Sequence, residues 1–443
     1  MPDTKALLIA GTASGVGKTT VAAGLMATLG RKYKVQPFKV GPDFIDPGHH
    51  TQICGRSSRN LDSFMMGEKG VLETFARASK GADFSIIEGV MGLFDGLDTT
   101  EIASSAHIAK ILDVPVLLVI NAHGASRSIA AVVKGFSEFD SKVRIKGIIL
   151  NNTGSNRHIQ LIKDSLHGAG IPVIGALPIN KELSIPSRHL GLHMAGENEP
   201  KISELANFIE QHIDMDSLKT IAGNFKARDI SKVKKEQFTV RIGIANDSAF
   251  CFYYQDAFDA LKMSGAQLVF FSPMSDPVPE VDGLYLGGGY PELFAKELEA
   301  SGTRLEIKKA AQDGMPIYGE CGALLYLGAS LETDRNYRMA GVLGANSRMT
   351  TKLQALGYTE AVVIADSPVA KKGAVIRGHE FHYSVTDCDR DSRFAYELNR
   401  GKGILKGRDG LMENNTIASY MHTHPASNSF DEFLGQCRKY GSR

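Results

Sequence analysis

Two stretches of this 443-residue chain combine residue types and spacings that can do chemistry. The first is residues 11–20, GTASGVGKTT. Its glycines at 11, 15 and 17 let the backbone curl so that several N–H groups face one anion, and the helical segment that follows adds the partial positive charge of its first turn. Lys18 would reach the outer phosphates of a nucleotide, and the Thr19 hydroxyl would ligate the accompanying Mg²⁺. The usual pattern has glycine six residues before the lysine, and Thr12 stands there instead. The second stretch is residues 315–328, MPIYGECGALLYLG. It sets Cys321 between an apolar run and a helical segment, with Gly319 and Gly322 relieving crowding around it. A cysteine at such a turn is a candidate nucleophile, because a helix N-terminus favours the reactive thiolate.

Other candidates surround these two. In FKVGPDFIDPGHH (38–50), Lys39 ends an apolar run, and Asp43 and Asp46 follow in a loop stiffened by prolines. The two carboxylates could hold Mg²⁺, order a charged substrate, or simply form turns. In IIEGVMGLFDG (86–96), Glu88 ends another apolar run, the usual place for a second metal contact. Asp95, further out, would meet substrate or brace the glycine-rich turn. Asn151 and Asn152 could read a base edge or form an ordinary turn. His49 and His50 lack a third ligand at metal spacing and read as loop residues near substrate. GLYLGGGYPE (283–292) offers backbone N–H groups to an oxyanion, or a tight turn. A cysteine nucleophile needs a base. SYMHTHPASN (419–428) supplies His422, the first choice, and His424, which strand alternation would put on the same face. His379 and His382 in RGHEFHYS are rivals.

The elements that must position these groups follow from apolar periodicity. Runs at 35–40, 84–87, 114–120, 145–150 and 172–177 alternate with helical patterns at 21–29, 102–112 and 126–139. That alternation predicts a parallel sheet covered by helices, with ligands at the carboxyl ends of its strands. Residues 214–237 are polar, include KVKKE and read as a linker. A new αβ alternation begins at Val240. The expected division is therefore 1–213, linker 214–237, and 238–443. Charges nearly cancel, 50 basic against 49 acidic, which argues against a nucleic-acid surface as the main business. No apolar run approaches the ~20 residues of a membrane span, and no signal peptide is evident. Five scattered cysteines without a C-x-x-C pair suit a reducing compartment, and the expected location is cytoplasmic.

The order of KVGPDFIDP, EGVMGLFDG, AFCFYYQDAFDAL, LYLGGGYPE, YGECGALLYL and RGHEFHYS resembles that of the cobyrinate a,c-diamide synthase family. The first half is also similar to dethiobiotin synthetase, whose loop has the form G-T-x-x-G-V-G-K-T, which accounts for Thr12. The second half resembles the triad-type glutamine amidotransferases of cobalamin biosynthesis. The fold implied is α/β. It pairs an N-terminal P-loop NTPase domain, dethiobiotin-synthetase-like with a mostly parallel sheet, with a C-terminal class I glutamine amidotransferase-like α/β domain. The activity implied is ATP- and glutamine-dependent amidation of the a and c side-chain carboxylates of a modified tetrapyrrole, through an acyl phosphate and ammonia released from glutamine.

By this resemblance Cys321 would attack the glutamine amide, His422 would act as its base, and the backbone of residues 287–289 would form the oxyanion site. Gly15, Gly17, Lys18, Thr19, Thr20 and Lys39 would bind ATP. Thr19, Asp43, Asp46 and Glu88 would hold Mg²⁺. Related amidotransferases carry a glutamate two residues after the base, where this chain has His424, so His422 would act without a third carboxylate. Cobyrinate is the first choice of substrate. Nickel-sirohydrochlorin a,c-diamide synthases of coenzyme F430 biosynthesis share these motifs, and no residue separates the two. A switch ATPase of the ParA/MinD type with an inert second domain is disfavoured by Ala13, where such switches have lysine, and by the intact Cys321 turn. The expected partners are the tetrapyrrole polycarboxylate, glutamine and ATP, with no nucleic acid and no membrane; a homodimer is one option for the assembly.

Overall fold

The computed structural model describes residues 4–168, 170–180, 182–183, 199–225 and 239–443. The chain divides into two compact units, Met1–Ser231 and Lys232–Arg443. None of the described helices is long and apolar enough to cross a membrane.

The first unit is built on a parallel sheet. Its strands are β1 (Thr4–Gly11), β2 (Val35–Val40), β3 (Arg59–Leu61), β4 (Phe84–Glu88), β5 (Val116–Asn121), β6 (Ile145–Thr153) and β7 (Val173–Pro178), in the order β3-β2-β4-β1-β5-β6-β7. The central strand β1 is an unbroken apolar run because it is covered on both faces, and Leu7, Leu8 and Ile9 are fully buried. Helix α1 (Lys18–Gly30) packs Val21, Leu25 and Leu29 into the same core as Leu7 and Ile9. Register then decides what meets at the carboxyl edge. Ile9 on β1 and Lys39 on β2 both lie beside Glu88 on β4.

Two local expectations change. Residues 45–54 are not a loop but helix α2 (Ile45–Cys54), which carries Asp46 and His50. Pro47 is tolerated because it falls in the first turn, where an N–H has no helical partner in any case. Residues 214–225 are not a linker. They form the helix Met215–Ile221, capped by the Asp214 carboxylate, and then strand β8 (Gly223–Phe225), antiparallel to β1. Leu218 and Ala222, with Met215 and Ile221 partly buried beside them, anchor this segment in the core, but at seven residues the helix is too short for a sustained apolar period. The remainder of the expected linker, 226–237, lies outside the described residues.

The second unit carries β9 (Val240–Ala245), β10 (Ala266–Phe271), β11 (Gly283–Leu286), β12 (Ile317–Glu320), β13 (Ser330–Glu332), β14 (Asn336–Arg338), β15 (Ala345–Met349), β16 (Ala355–Val363), β17 (Val375–His382), β18 (Ser384–Cys388), β19 (Arg393–Arg400), β20 (Arg408–Glu413), β21 (Thr416–Ser419) and β22 (His422–Thr423). Ten of them form one sheet in the order β10-β9-β11-β12-β21-β20-β19-β16-β17-β22, parallel from β10 to β21 and antiparallel beyond. The remaining four form a small sheet, β14-β13-β15-β18. Ile242, Ile244, Leu284, Leu286, Ile317 and Ile417 are fully buried along the parallel part. Glu320 on β12 lies beside Ser419 on β21, and His379 on β17 beside His422 on β22. These two registers set up the chemistry of this unit.

Candidate active sites

In the first unit, the loop between β1 and α1 is shaped by Gly15 and Gly17, with φ of 77° and 98°. A side chain at Gly17 would also collide, since its Cβ would stand 2.2 Å from Asn151 Nδ2. That amide donates to the Val16 carbonyl at 2.9 Å. Asn151 therefore braces the loop from below. Lys18 is nearly buried and reaches back across the loop to the Ala13 carbonyl at 3.1 Å. Burial, followed by the neighbouring Lys39 charge, lowers its pKa. The Thr19 hydroxyl donates to Glu88 Oε1 at 2.6 Å. Thr20 follows, half-buried in the first turn of α1.

Behind the loop lies a buried charge cluster. Glu88 is fully buried, and its Oε1 also accepts from Lys39 Nζ at 2.9 Å, while its Oε2 lies 2.7 Å from His50 Nε2. Lys39 Nζ is 2.6 Å from Asp46 Oδ2. Asp43 sits beside Asp46 and accepts the Ile45 N–H at 3.0 Å. Burial alone would raise the Glu88 pKa, but Lys39, then His50 and Thr19, hold it well below the carboxylate range. Burial would lower the Lys39 pKa, and Glu88 and Asp46 more than offset this, keeping it above its ordinary value. Asp46, desolvated and beside Glu88, is pushed up to about 6 despite Lys39.

Thr19, Lys39, Asp46 and Glu88 are thus brought together, with Asp43 next to them. Asp95 accepts the Gly92 N–H at 2.8 Å and so braces the glycine-rich turn. The donor set suits nucleotide phosphates and Mg²⁺. It joins a left-handed glycine cradle, an ammonium and a hydroxyl paired with an acid. Among the described residues there is no cluster of three or more His, Cys, Asp or Glu metal donors.

In the second unit, Cys321 has φ 48° and ψ −98°, a sharp turn from β12 into the helix Gly322–Leu327. Its N–H donates to the Ser419 carbonyl at 2.6 Å, and its Sγ lies 3.8 Å from the Phe381 carbonyl. His422 is buried and hydrogen-bonds to Cys321 through its side chain. Burial would lower the His422 pKa, but the Cys321 sulfur and then Glu320 push it up to about 10. Strand β22 is only two residues long, so alternation does not carry His424 to the same place. Its Nε2 faces Asp256 Oδ2 at 3.9 Å. His379 stacks on His422 with ring centroids 4.9 Å apart and also meets the Tyr254 hydroxyl at 3.1 Å through Nδ1. Burial and then the neighbouring His422 keep its pKa well below the ordinary value. His382 stacks on Tyr420 instead.

The oxyanion expectation for residues 287–289 is narrowed. The Gly287 N–H donates to the Tyr253 hydroxyl at 2.7 Å, and the Gly288 carbonyl accepts from Phe252 N–H at 2.9 Å. The Gly289 nitrogen, by contrast, lies 3.1 Å from where a Cβ on Gly322 would stand, beside the residue that follows the nucleophile.

Comparison with known proteins agrees with this two-site construction. Residues 7–192 match the family model described as CobQ/CobB/MinD/ParA nucleotide binding domain, and residues 241–430 the CobB/CobQ-like glutamine amidotransferase domain. The chain is 44% identical to the cobyrinate a,c-diamide synthase of Methanobrevibacter smithii, over 95% of this chain and 96% of that one. It is 42% identical to the Methanocaldococcus jannaschii enzyme of the same name, over 96% and 97% of the two chains. With that of Caldanaerobacter subterraneus subsp. tengcongensis it shares 42% identity over 99% and 100%. The chain belongs to the cobyrinate a,c-diamide synthase family. It is a ligase that amidates with glutamine as nitrogen source, and its fold joins the expected nucleotide-binding and amidotransferase domains.

Three residues of this family member escaped the sequence, and a fourth, His50, stands elsewhere than expected. His50 packs against Glu88 from α2, not from a substrate loop. Tyr253 occupies the Gly287 N–H. Asp409, fully buried, accepts the N–H groups of Tyr420 and Met421, each at 3.0 Å, and so pins the two residues before His422. Glu320 stands next to Cys321 and faces His422, with Oε2 3.6 Å from His422 Nδ1. The signal for Glu320 was available in YGECG, where an acid ends a buried strand.

Proposed function

We propose that the protein converts cobyrinate to cobyrinate a,c-diamide, consuming ATP and glutamine. The observation that carries this reading is the presence in one chain of both devices the reaction needs. One is a lysine-bearing phosphate loop backed by the Lys39–Glu88–Asp46 cluster, and the other is a cysteine in hydrogen-bond contact with a buried histidine.

A carboxylate is a poor acyl donor because its leaving group would be oxide. Phosphorylation of the substrate carboxylate by ATP gives an acyl phosphate, and ammonia then displaces phosphate to leave the carboxamide. Lys18 and Lys39 offset charge on the transferring phosphoryl group, and Thr19 and Glu88, with Asp43 and Asp46, would hold Mg²⁺. Mg²⁺, when bound, supplies further neutralisation of phosphate charge. Gly15, Gly17 and Thr20 present the loop backbone and first helical turn to the nucleotide. In the second unit Cys321 gives its proton to His422, and the resulting thiolate attacks the side-chain carbonyl of glutamine. The C–N bond breaks, a thioester remains, and His422 returns the proton to the departing ammonia. Water later releases glutamate from the thioester. A dedicated source matters because free ammonia is mostly protonated near neutral pH and then not nucleophilic.

The test is a mass-spectrometric assay with ATP, a nitrogen source, and either cobyrinate or nickel-sirohydrochlorin. The expected result is two added amides on cobyrinate. Cys321→Ala should lose amidation with glutamine and keep it with ammonium salts, whereas Lys18→Ala should lose both. Glutamine use by the Cys321 variant, or ammonium use by the Lys18 variant at the wild-type rate, would overturn the corresponding site. Amidation of nickel-sirohydrochlorin alone would overturn the substrate.

A further inference from the structure

We propose that Glu320 is the positioning carboxylate of the glutaminase: it accepts the Nδ1–H of His422 and thereby presents Nε2 to the Cys321 sulfur. This inference rests on the reading of Cys321 and His422 as nucleophile and base. It supplies the third carboxylate that His424, two residues after the base, does not.

The geometry is specific. Register places Glu320 opposite Ser419, and the chain then turns so that Thr423 N–H donates to Glu320 Oε1 at 3.0 Å. The other oxygen, Oε2, faces His422 Nδ1 at 3.6 Å. One carboxylate thus binds the backbone after the base and faces the base's ring. Its remaining valences are taken by donors. Thr423 Oγ1 reaches Oε1 at 3.2 Å, Tyr318 hydroxyl also donates to Oε1, and Tyr285 hydroxyl reaches Oε2 at 3.3 Å. Four donors to one carboxylate hold it as an acceptor, and at 2% exposure it is shielded from water. The 3.6 Å separation is about half an ångström beyond a hydrogen bond. Catalytic hydrogen bonds are often long in the free enzyme and tighten with substrate bound.

The groups facing His422 are Cys321 from the helix start, Glu320 from β12, Gly288 from the loop after β11, and His379 from β17, while the Tyr318 and Tyr285 hydroxyls reach Glu320 itself. Glu320 is the carboxylate among them. When the thiol proton moves to Nε2, the imidazolium lies against that carboxylate, and the charge pair is retained until the proton leaves with ammonia. A purely structural Glu320, tying Tyr285, Tyr318 and Thr423 together, would make no such difference to the base.

The experiment compares Glu320→Gln, Glu320→Asp, Tyr285→Phe and Thr423→Val in the full chain. The readouts are glutamine hydrolysis (kcat and KM separately) and the pH dependence of Cys321 alkylation by iodoacetamide, followed on its peptide by mass spectrometry. Glu320→Gln should lower kcat by roughly 10²–10⁴-fold with little change in KM, as loss of a base-orienting carboxylate does in other triads. The pH midpoint of Cys321 alkylation should move upward, because the imidazolium that supports the thiolate is less stabilised. Glu320→Asp should fall between wild type and Gln, and the Tyr285 and Thr423 variants should lose less than about 10-fold. A folded Glu320→Gln protein with wild-type kcat, or with an unmoved alkylation midpoint, overturns the proposal. So do Tyr285 and Thr423 variants as impaired as Glu320→Gln. If the Gln variant fails to fold, the Asp variant decides by the same midpoint. Glutamine hydrolysis by Cys321→Ala would instead overturn the underlying reading of the site.

Discussion

Replacing Lys39 by methionine keeps the length of the side chain and removes the cation that two buried carboxylates share. Lys39 Nζ lies 2.9 Å from Glu88 Oε1 and 2.6 Å from Asp46 Oδ2, and the three side chains are 4%, 0% and 14% exposed. Screening by water is therefore small. Removing one partner of a buried pair costs about 3–5 kcal/mol, because the other charge stays behind unpaid in the interior. For a unit of about 200 residues, 1 kcal/mol moves the melting temperature by roughly 2–4 °C, so the transition of the first unit should fall by roughly 6–20 °C.

The pH dependence is the sharper readout. In the wild type the Glu88 pKa is depressed, so its stabilisation is present above the unfolded carboxylate value and is lost as pH falls through the folded one. Asp46, raised to about 6, runs the other way and loses stability as pH rises through that value. Without Lys39 both carboxyl groups favour the proton, so the variant should lose stability as pH rises from 5 to 8. The gap from wild type should be larger at pH 8 than at pH 5. Calorimetry of the full chain at those two pH values measures this. The double variant Lys39→Met/Glu88→Gln should recover about 1 kcal/mol or more relative to the sum of the single losses. A pH-independent loss, or strict additivity, would refute the shared-cation account.

Gly288→Ala would place a Cβ 2.4 Å from His422 Cε1 and displace the base. Glutamine-dependent amidation should fall by about 10²-fold or more, as a misplacement of about 1 Å can cost. An equal loss with ammonium chloride as nitrogen source would show that the substitution acts elsewhere. Asp409, pushed up to about 6 by burial against the backbone N–H groups of Gly410, Tyr420 and Met421, binds its proton more tightly folded than unfolded. Its contribution should decline as pH rises from about 4 through 6, by about 3 kcal/mol in all. Asp409→Asn should remove that slope, and a variant whose stability tracks the wild type in parallel from pH 4 to 7 would contradict it.

What the sequence disclosed and what it hid follow one physical division. The strand at 35–40, the Gly15–Lys18 turn and the Cys321 elbow are local. Backbone freedom, apolar periodicity and a residue or two on either side determine them, and these are visible in any short window. The partners of those residues come from afar. Glu88 finds Lys39 and His50, and Asn151 braces Val16 over an interval of 135 residues. Asp409 reaches Met421, and Glu320 reaches His422, only because β12, β20 and β21 pair in one register. Along the chain from His422 the position of a third carboxylate is filled by His424, whereas the sheet brings Glu320 to His422 from the strand that precedes Cys321. The segment 214–225 was misread for a related reason. Its place in the fold depends on Met215, Leu218, Ile221 and Ala222 meeting the core within a helix of only seven residues, and on pairing with β1, which no local window reveals.

The separation of Cys321 from His422 along the chain also has a consequence for biosynthesis. The nucleophile emerges from the ribosome 101 residues before the base, and β21, whose Ser419 carbonyl receives the Cys321 N–H, emerges only just ahead of that base. At roughly 5–20 residues per second, the thiol waits on the order of 5–20 s without its proton acceptor. All strands of the first unit's sheet, through Phe225, have been made well before then. The order of synthesis therefore completes the nucleotide-binding half first and the amidotransferase half last. On the proposed roles, a nascent or truncated chain lacking His422 holds a nucleophile without its base.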